Sequence, residues 1–523
     1  MNVMHRSVCH FVPAVLLCLT LPLALFADQP PTAAELAEQI DRQIRSFQQV
    51  VEVTPSRQAS DEEYLRRVYL DLAGRIPTVA EAREFLRDKS PDKRAELAKQ
   101  LVDSGAHARH MATFWRRTWI PQGDTQEFRN LPEEFETWLT LELSSGAKYD
   151  EIVRKMLTVE IQDSTQSRAS ENLADRPAPE SFLTASLRQP ANLAANTTRA
   201  FLGLNLDCAQ CHDHPFSRWT QEQFWETAAF FVRPSAKEAV GVDQFQVVIP
   251  ETSKVVSATL FVDGEISWPE KLSQDSGRDA LAHWVADSRN PYFAKNAVNR
   301  MWAHYFGVGL VEPLDDISED NIALQPEILE TLADAFVKSD FDLKLISEAI
   351  VRTEAYQRTS RASAGEEEQV DRLHYARMPV RGMSGEQLYD SLRTAAGMPA
   401  VRADLNAASR GGRDDRFSSS FFVEDPAQAE RSILQTLTLM NGETTAEAID
   451  PKQSPLIKVL VDAPFLNNDQ KIDTLFLATL GRNPEAEELE MFVAHLQQAD
   501  STGEALSQMM WVLLNSAEFN TNH

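Results

Sequence analysis

The run Cys208-Ala209-Gln210-Cys211-His212-Asp213-His214-Pro215 gathers the side chains most able to do chemistry in this sequence. Two thiols three positions apart, followed at once by an imidazole, make the Cys-x-x-Cys-His attachment signature of c-type haem. The thiols form thioethers with the porphyrin vinyls, and the histidine reaches iron from the same peptide turn. Cys208 and Cys211 are then the covalent anchors and His212 the proximal iron ligand. The same residues admit other chemistry. Cys208 and Cys211 would pair as a disulfide in an oxidising compartment, and Cys208, Cys211, His212 and His214 make up a four-ligand zinc set.

A haem has a second face, and the sequence is less decisive about it. His214 lies only two positions beyond His212 and would have difficulty crossing to the opposite side of iron. His304, His107, His110, His283, Met301 and Met383 are the remaining distal candidates, and each taken singly suits a structural role better. Arg300 and His304 share a helical face one turn apart, so His304 is the candidate distal or pocket residue. An Arg-His pair of this kind suits a haem propionate and iron, or simply a buried acid. A filled distal position favours electron transfer, and an open one small-molecule chemistry.

The cysteine count sharpens this reading. The 523 residues hold four cysteines, and two of them fall in the first 27 positions. There Arg6 precedes the apolar run Phe11 to Phe26, and Ala27 supplies a small residue before Asp28-Gln29-Pro30, the pattern of a cleaved secretory signal peptide over residues 1–27. Cleavage discards Cys9 and Cys18, which leaves both remaining thiols in one motif and no separate disulfide framework. The expected location is the periplasm or cell envelope, or outside the cell. No later segment reads as a transmembrane helix. A formal charge of −27, from 51 basic and 78 acidic residues, disfavours nucleic acid as a partner. A periplasmic redox or cell-envelope protein suits an exported haem site better.

The elements that must position this site read as helices. Apolar periodicity predicts helices over 34–44, 60–72, 80–87 and 92–102, then a helical pattern with aromatic core residues to Val159. Ser60 with Glu63 and Thr78 with Glu81 read as capping boxes. A helix over 192–201 leads into the cysteine motif, and another over 224–231 follows it. Residues 240–264 are β-rich, with short runs at 245–249, 255–256 and 258–262 and a turn at Asp263-Gly264. Helices resume over 279–287, 291–305, 326–338, 343–352, 384–396, 427–440, 468–480, 485–498 and 503–516. The basic stretch Arg410 to Arg416 and the run Glu366-Glu367-Glu368 read as solvated loops. The fold class is therefore mainly α, a multi-helical two-domain protein with a small antiparallel β insertion near residues 240–265. Val68 to Pro77 resembles Leu475 to Pro484, each a helix ended by glycine and followed by Arg-x-Pro. A duplication and convergence on one helix-turn-helix solution explain this equally well.

Taken together, Tyr64 to Leu72 with Gly74-Arg75-Ile76-Pro77, Phe201-Leu202-Gly203 with Cys208 to Phe216, and Asn299 to Val311 with Asp315-Asp316 resemble a known set. So do Ser432 to Gln435, Leu439 to Gly442 and the ending Leu513 to Phe519. The chain resembles secreted planctomycete proteins, named as cytochrome-associated, in which domain of unknown function 1549 (PSCyt2) precedes domain of unknown function 1553 (PSD1). The resemblance implies a first domain over 35–233, a β-rich insertion or linker over 234–275 and a second domain over 278–523. It implies no reaction. No second Cys-x-x-Cys-His and no Gly-x-Ser-x-Gly nucleophile elbow occur, so whether the protein is an enzyme is left open. The expected function is a secreted protein binding one c-type haem for electron transfer or redox chemistry. The alternative is a non-enzymatic envelope interaction protein with a structural zinc or disulfide at the same residues.

Overall fold

The computed structural model describes residues 29–125, 128, 131–161, 178–215, 217–235, 240–262, 264–318, 321–361, 374–399, 417, 421 and 432–523. The expected signal peptide, the Glu366 to Glu368 run and the Arg410 to Arg416 stretch lie outside these residues, as does Asp263 of the expected turn.

The protein is mainly α-helical, and polar residues at the helix starts show why the helices begin where they do. Thr32, Thr78, Thr220, Ser384 and Asn467 each accept a bond from the backbone N–H three residues on, while the Glu or Gln there bonds back. Each such box satisfies two of the donors that a helix start leaves open. Ser60 makes only half of its expected box. Its hydroxyl accepts from the Glu63 N–H, but the Glu63 carboxylate is drawn to Arg67, Thr359 and Ser360. A buried guanidinium and two tertiary donors outcompete one local N–H.

The helices Ala33–Val50, Asp61–Ala73, Lys93–Val102 and Gly105–Trp119 pack with Pro326–Lys338 and Leu343–Arg352 around one apolar core. Trp115, Trp119, Tyr149 and Phe201 form its aromatic centre, with ring centroids 5.1 to 5.9 Å apart along the chain of contacts. A second core is built by the later helices, including Gly385–Ala395, Asn468–Thr479 and Thr502–Leu514, and it takes in Leu70 and Ile76 from the first part of the chain.

Strand structure is confined to two short antiparallel pairs among the described residues. Gln246–Val248 pairs with Val255–Ser257, Val247 facing Val256, which is the expected β insertion. The run 258–262 does not extend it, because Phe261 turns inward edge-on to Trp219 and Trp284. Arg381–Gly382 pairs with Thr521–Asn522 near the chain end. The helices Glu443–Ile449 and Pro455–Asp462 were not legible as separate elements, each being under three turns long.

Candidate functional site

The approach to the cysteine motif begins in the helix Pro190–Thr197, which widens into a π-helical turn over Thr198–Leu202. Gly203 ends it with φ 66°, in the left-handed region that glycine occupies without a Cβ penalty. A Cβ there would sit 2.8 Å from the Asn296 Oδ1 and 2.9 Å from Ile317, so the glycine also permits close approach to the helix Phe293–Phe306. Leu204 then bridges Asp316, and the Asn205 N–H donates to the Asp315 carbonyl at 2.9 Å.

The motif itself is a 3-10 turn, Asp207–Gln210, running into Cys211. Ala209 is fully buried and pins the turn to the core, while Cys208, Cys211 and His212 face solvent. Both cysteines are free thiols. The following helix, Gln221–Ala229, holds the turn from one side. Gln221 Nε2 donates to the Cys211 carbonyl at 2.9 Å, and Trp225 Nε1 donates to the Gln210 carbonyl at 3.0 Å. The Asp213 carboxylate accepts from the Gln221 N–H at 2.9 Å, at the positive end of that helix. The His214 N–H donates to the Trp219 carbonyl at 2.8 Å and closes the loop.

One bond fixes the chemistry of His212. Its Nδ1 lies 2.7 Å from the Asp213 carbonyl oxygen. A carbonyl can only accept, so Nδ1 carries the proton, and in the neutral imidazole Nε2 is then the nitrogen with the lone pair. That is how a metal-binding histidine is prepared, with one ring nitrogen tied to a carbonyl and the other left as ligand.

Residues 39–235 match PSCyt2, described as a protein of unknown function (DUF1549), and residues 277–409 match PSD1, described as a protein of unknown function (DUF1553). The chain belongs to the PSCyt2–PSD1 proteins. No curated protein and no solved structure matches it. The cysteine turn lies within the PSCyt2 match, and Arg300 and His304 lie within the PSD1 match.

The other predicted site residues are placed apart from the turn. His304 packs between Phe114 and His110, with ring centroids 4.7 and 5.3 Å away, and its Nε2 is 3.4 Å from the Asp71 carbonyl. Burial lowers its pKa and the nearby Asp71 opposes the shift. Its hydrogen-bond and ring partners are not shared with the Cys208 turn. His107 is buried, donates from Nδ1 to the Leu72 carbonyl at 3.0 Å, and is pushed down to a pKa of about 4 by desolvation. His110 is buried beside His304, and His283 is exposed on the helix Ser276–Val285. Met301 and Met383 are fully buried in the two cores. His214 follows His212 on the loop, yet among the described residues no three His, Cys, Asp or Glu side chains are gathered closely enough to hold a metal ion.

Sequence reasoning passed over Asn296, Arg199, Gln221 and Trp225. Asn296 is wholly buried and donates to the Ala200 carbonyl at 2.8 Å, while accepting from Arg300 Nε at 2.9 Å. An asparagine within a helical pattern gives no signal of its own. Its partner, the Ala200 carbonyl, lies on the π-helical turn, which no local pattern announces.

Proposed function

We propose that this PSCyt2–PSD1 protein is exported and carries one c-type haem on Cys208 and Cys211, with His212 as proximal iron ligand. The observation that carries the proposal is the Nδ1 bond of His212 to the Asp213 carbonyl. It supports that role by leaving Nε2 as the ligand nitrogen of the neutral ring, on an exposed turn whose two thiols are free.

The donor set fits the group. Each thiol would add its S–H across one vinyl C=C, forming a C–S bond and leaving the hydrogen on the other vinyl carbon, so attachment needs no external oxidant. Buried Ala209 and the bonds from Gln221 and Trp225 hold the turn in place, which limits the rearrangement that attachment demands. The haem would supply one-electron chemistry. The protein's own part is to present two thiols and one imidazole from a fixed turn and to hold the Nδ1 proton on Asp213. Export belongs to the same proposal, because residues 1–27 read as a secretory signal and haem c is assembled outside the cytoplasm.

The test is expression in a bacterium competent for periplasmic haem c assembly. Haem staining that survives denaturation, with a mass increase of one haem lost in Cys208→Ser/Cys211→Ser, is the expected result. His212→Ala should retain the thioethers but shift the Soret band, because iron loses its proximal nitrogen. An unmodified mass with no Soret band under those conditions overturns the proposal.

A further inference from the structure

A pair of guanidinium groups beside the cysteine turn is held for a purpose that the fold alone does not explain. Arg300 is fixed at two points. Its Nε donates to Asn296 Oδ1 at 2.9 Å, and its Nη2 donates to the Arg199 carbonyl at 3.0 Å. Asn296 is locked in turn by its own bond to the Ala200 carbonyl. These bonds use the inner edge of the guanidinium and leave Nη1 without a hydrogen-bond acceptor among the described residues. The side chain is recessed, since the residue is partly exposed while burial still lowers its pKa; Tyr149, Asp315 and Glu312 oppose that shift and Arg199 adds to it. Among the described residues no carboxylate is within ion-pairing distance of Arg300.

Arg199 stands on the π-helical turn, a local widening that recurs at functional sites. Its Nη2 donates to Asn196 Oδ1 at 2.6 Å, and its Nη1 reaches Asp207, the residue before Cys208, only at 3.8 Å. The Arg199 side chain is 28% exposed and that of Asp207 53% exposed. Asp207 thus holds Arg199 only at the limit of an ion pair, and Arg300 has no acid that close among the described residues. In a chain of net charge −27, two neighbouring guanidiniums that have between them one carboxylate within 4 Å among the described residues stand out, with Asp315 and Glu312 acting on Arg300 only from farther off.

We propose that Arg199 and Arg300 form a binding site for an oxyanion of carboxylate or phosphate size, next to the Cys208 turn. A guanidinium presents planar, fixed donors that match such an anion, and here the orientation is set in advance by Asn296 and the Arg199 backbone. Asp207 is the competing internal anion, and it swings aside when the site fills. One source of the anion is the pair of propionates on a haem attached at Cys208 and Cys211, and this source rests on the haem proposal. The other is a free oxyanion, which does not.

The experiment titrates inorganic phosphate, at constant ionic strength against chloride, into the full mature chain carrying Cys208→Ser and Cys211→Ser. Saturable binding is expected, weakened about tenfold or more by either Arg199→Gln or Arg300→Gln, the loss of one charge-assisted contact, and tightened by Asp207→Asn. Arg300 also braces the π-helical turn, so Arg199→Gln, whose side chain bonds only Asn196 and Asp207 among the described residues, decides the matter if Arg300→Gln does not fold. No saturable binding, or binding unchanged by Arg199→Gln, overturns the site. Haem-loaded wild type separates the two sources. If loading abolishes phosphate binding and Arg199→Gln alters the pH dependence of the reduction potential, the propionates occupy the site; phosphate bound as tightly as before makes a free anion the occupant. A chain that takes no haem defeats the proposed function and leaves the phosphate titration to decide the site by itself.

Discussion

Asp41 shows how a single carboxyl can set a pH response that the surface charge does not reveal. It lies buried on the helix Ala33–Val50, and its Oδ1 accepts from the Glu354 N–H at 2.9 Å. Desolvation raises its pKa to about 6; Glu354 adds to the rise, while the backbone bond, Arg45 and Arg358 oppose it. A carboxyl whose folded pKa lies above its unfolded value stabilises the fold below about pH 4 and loses that contribution as pH rises through about 6. Asp41→Asn keeps an oxygen for the Glu354 N–H and removes the titration. The variant should gain on the order of 2 kcal/mol relative to wild type between pH 4 and 7, read from urea midpoints at each pH. A constant difference across that range would show that Asp41 is ionised throughout. His107 and His523, both pushed down to about 4 by burial, tilt stability the opposite way over the same window, so the difference between the two proteins is the diagnostic quantity and the wild-type slope is not. None of this was legible beforehand. Cys208, Cys211 and His212 announce themselves by spacing, whereas Asp41 takes its properties from a partner 313 residues away.

At the scale of elements, the similarity between residues 68–77 and 475–484 proves to be structural as well as sequential. Gly74 and Gly481 both end their helices with positive φ, 68° and 74°. Arg75 then pairs with Glu81 through both nitrogens and bonds the Ile76 carbonyl, while Arg482 pairs with Glu488 and bonds the Asn483 carbonyl. Arg75 lies over the Tyr69 ring and Arg482 over that of Phe476, at the same offset. The corner is one solution used twice, and the helices Asp61–Ala73 and Asn468–Thr479 that lead into the two copies touch, for the Arg66 guanidinium donates to the Thr479 carbonyl at 3.2 Å. Their surroundings differ in a way that can be measured. A Cβ on Gly481 would meet nothing nearer than Pro77 at 3.6 Å, but on Gly74 it would meet the His110 ring at 2.6 Å. Both Gly→Ala variants incur the left-handed backbone penalty of about 1 to 2 kcal/mol. Gly74→Ala adds overpacking of about 1 to 3 kcal/mol, so its melting temperature should fall further. Equal losses would mean that His110 gives way freely. The turn, the caps and most helices were readable because their signals sit within a few residues. The incomplete box at Ser60 and the π-helical turn at Thr198–Leu202 were not, because tertiary partners decide both.

Across the whole molecule, the cores follow a different partition from the family matches. The first core draws on residues from Ala33 to Met378, with Leu477 added, and the second on Met383 to Phe519, with Leu70 and Ile76. The helix Asp61–Ala73 serves both, and the junction is clasped by Asp71. This buried carboxylate accepts from Arg381 at 2.7 and 2.9 Å, from the Tyr356 hydroxyl at 2.7 Å and from Asn522 at 2.7 Å. Those partners lie 285 to 451 residues along the chain, beyond the reach of any local pattern, which is why helices could be read from the sequence and their partnership could not. The consequence concerns folding. Residues 29–235 contain the PSCyt2 match and the cysteine turn, but the helix Ala33–Val50 needs Leu343–Arg352 to cover its apolar face, and Tyr149–Thr158 needs Ser276–Val285. Asp71 would also lose Tyr356, Arg381 and Asn522, the side chains that bind its carboxylate. Residues 29–235 expressed alone should therefore retain helical circular dichroism but show no cooperative thermal transition and bind a hydrophobic dye. The full chain should unfold sharply without binding it. A sharp transition in the isolated segment would mean that its helices close a core of their own. The Cys208 turn could then be studied apart from the Arg300 helix, which the present packing forbids because Asn296 and Arg300 hold the π-helical turn that leads into it.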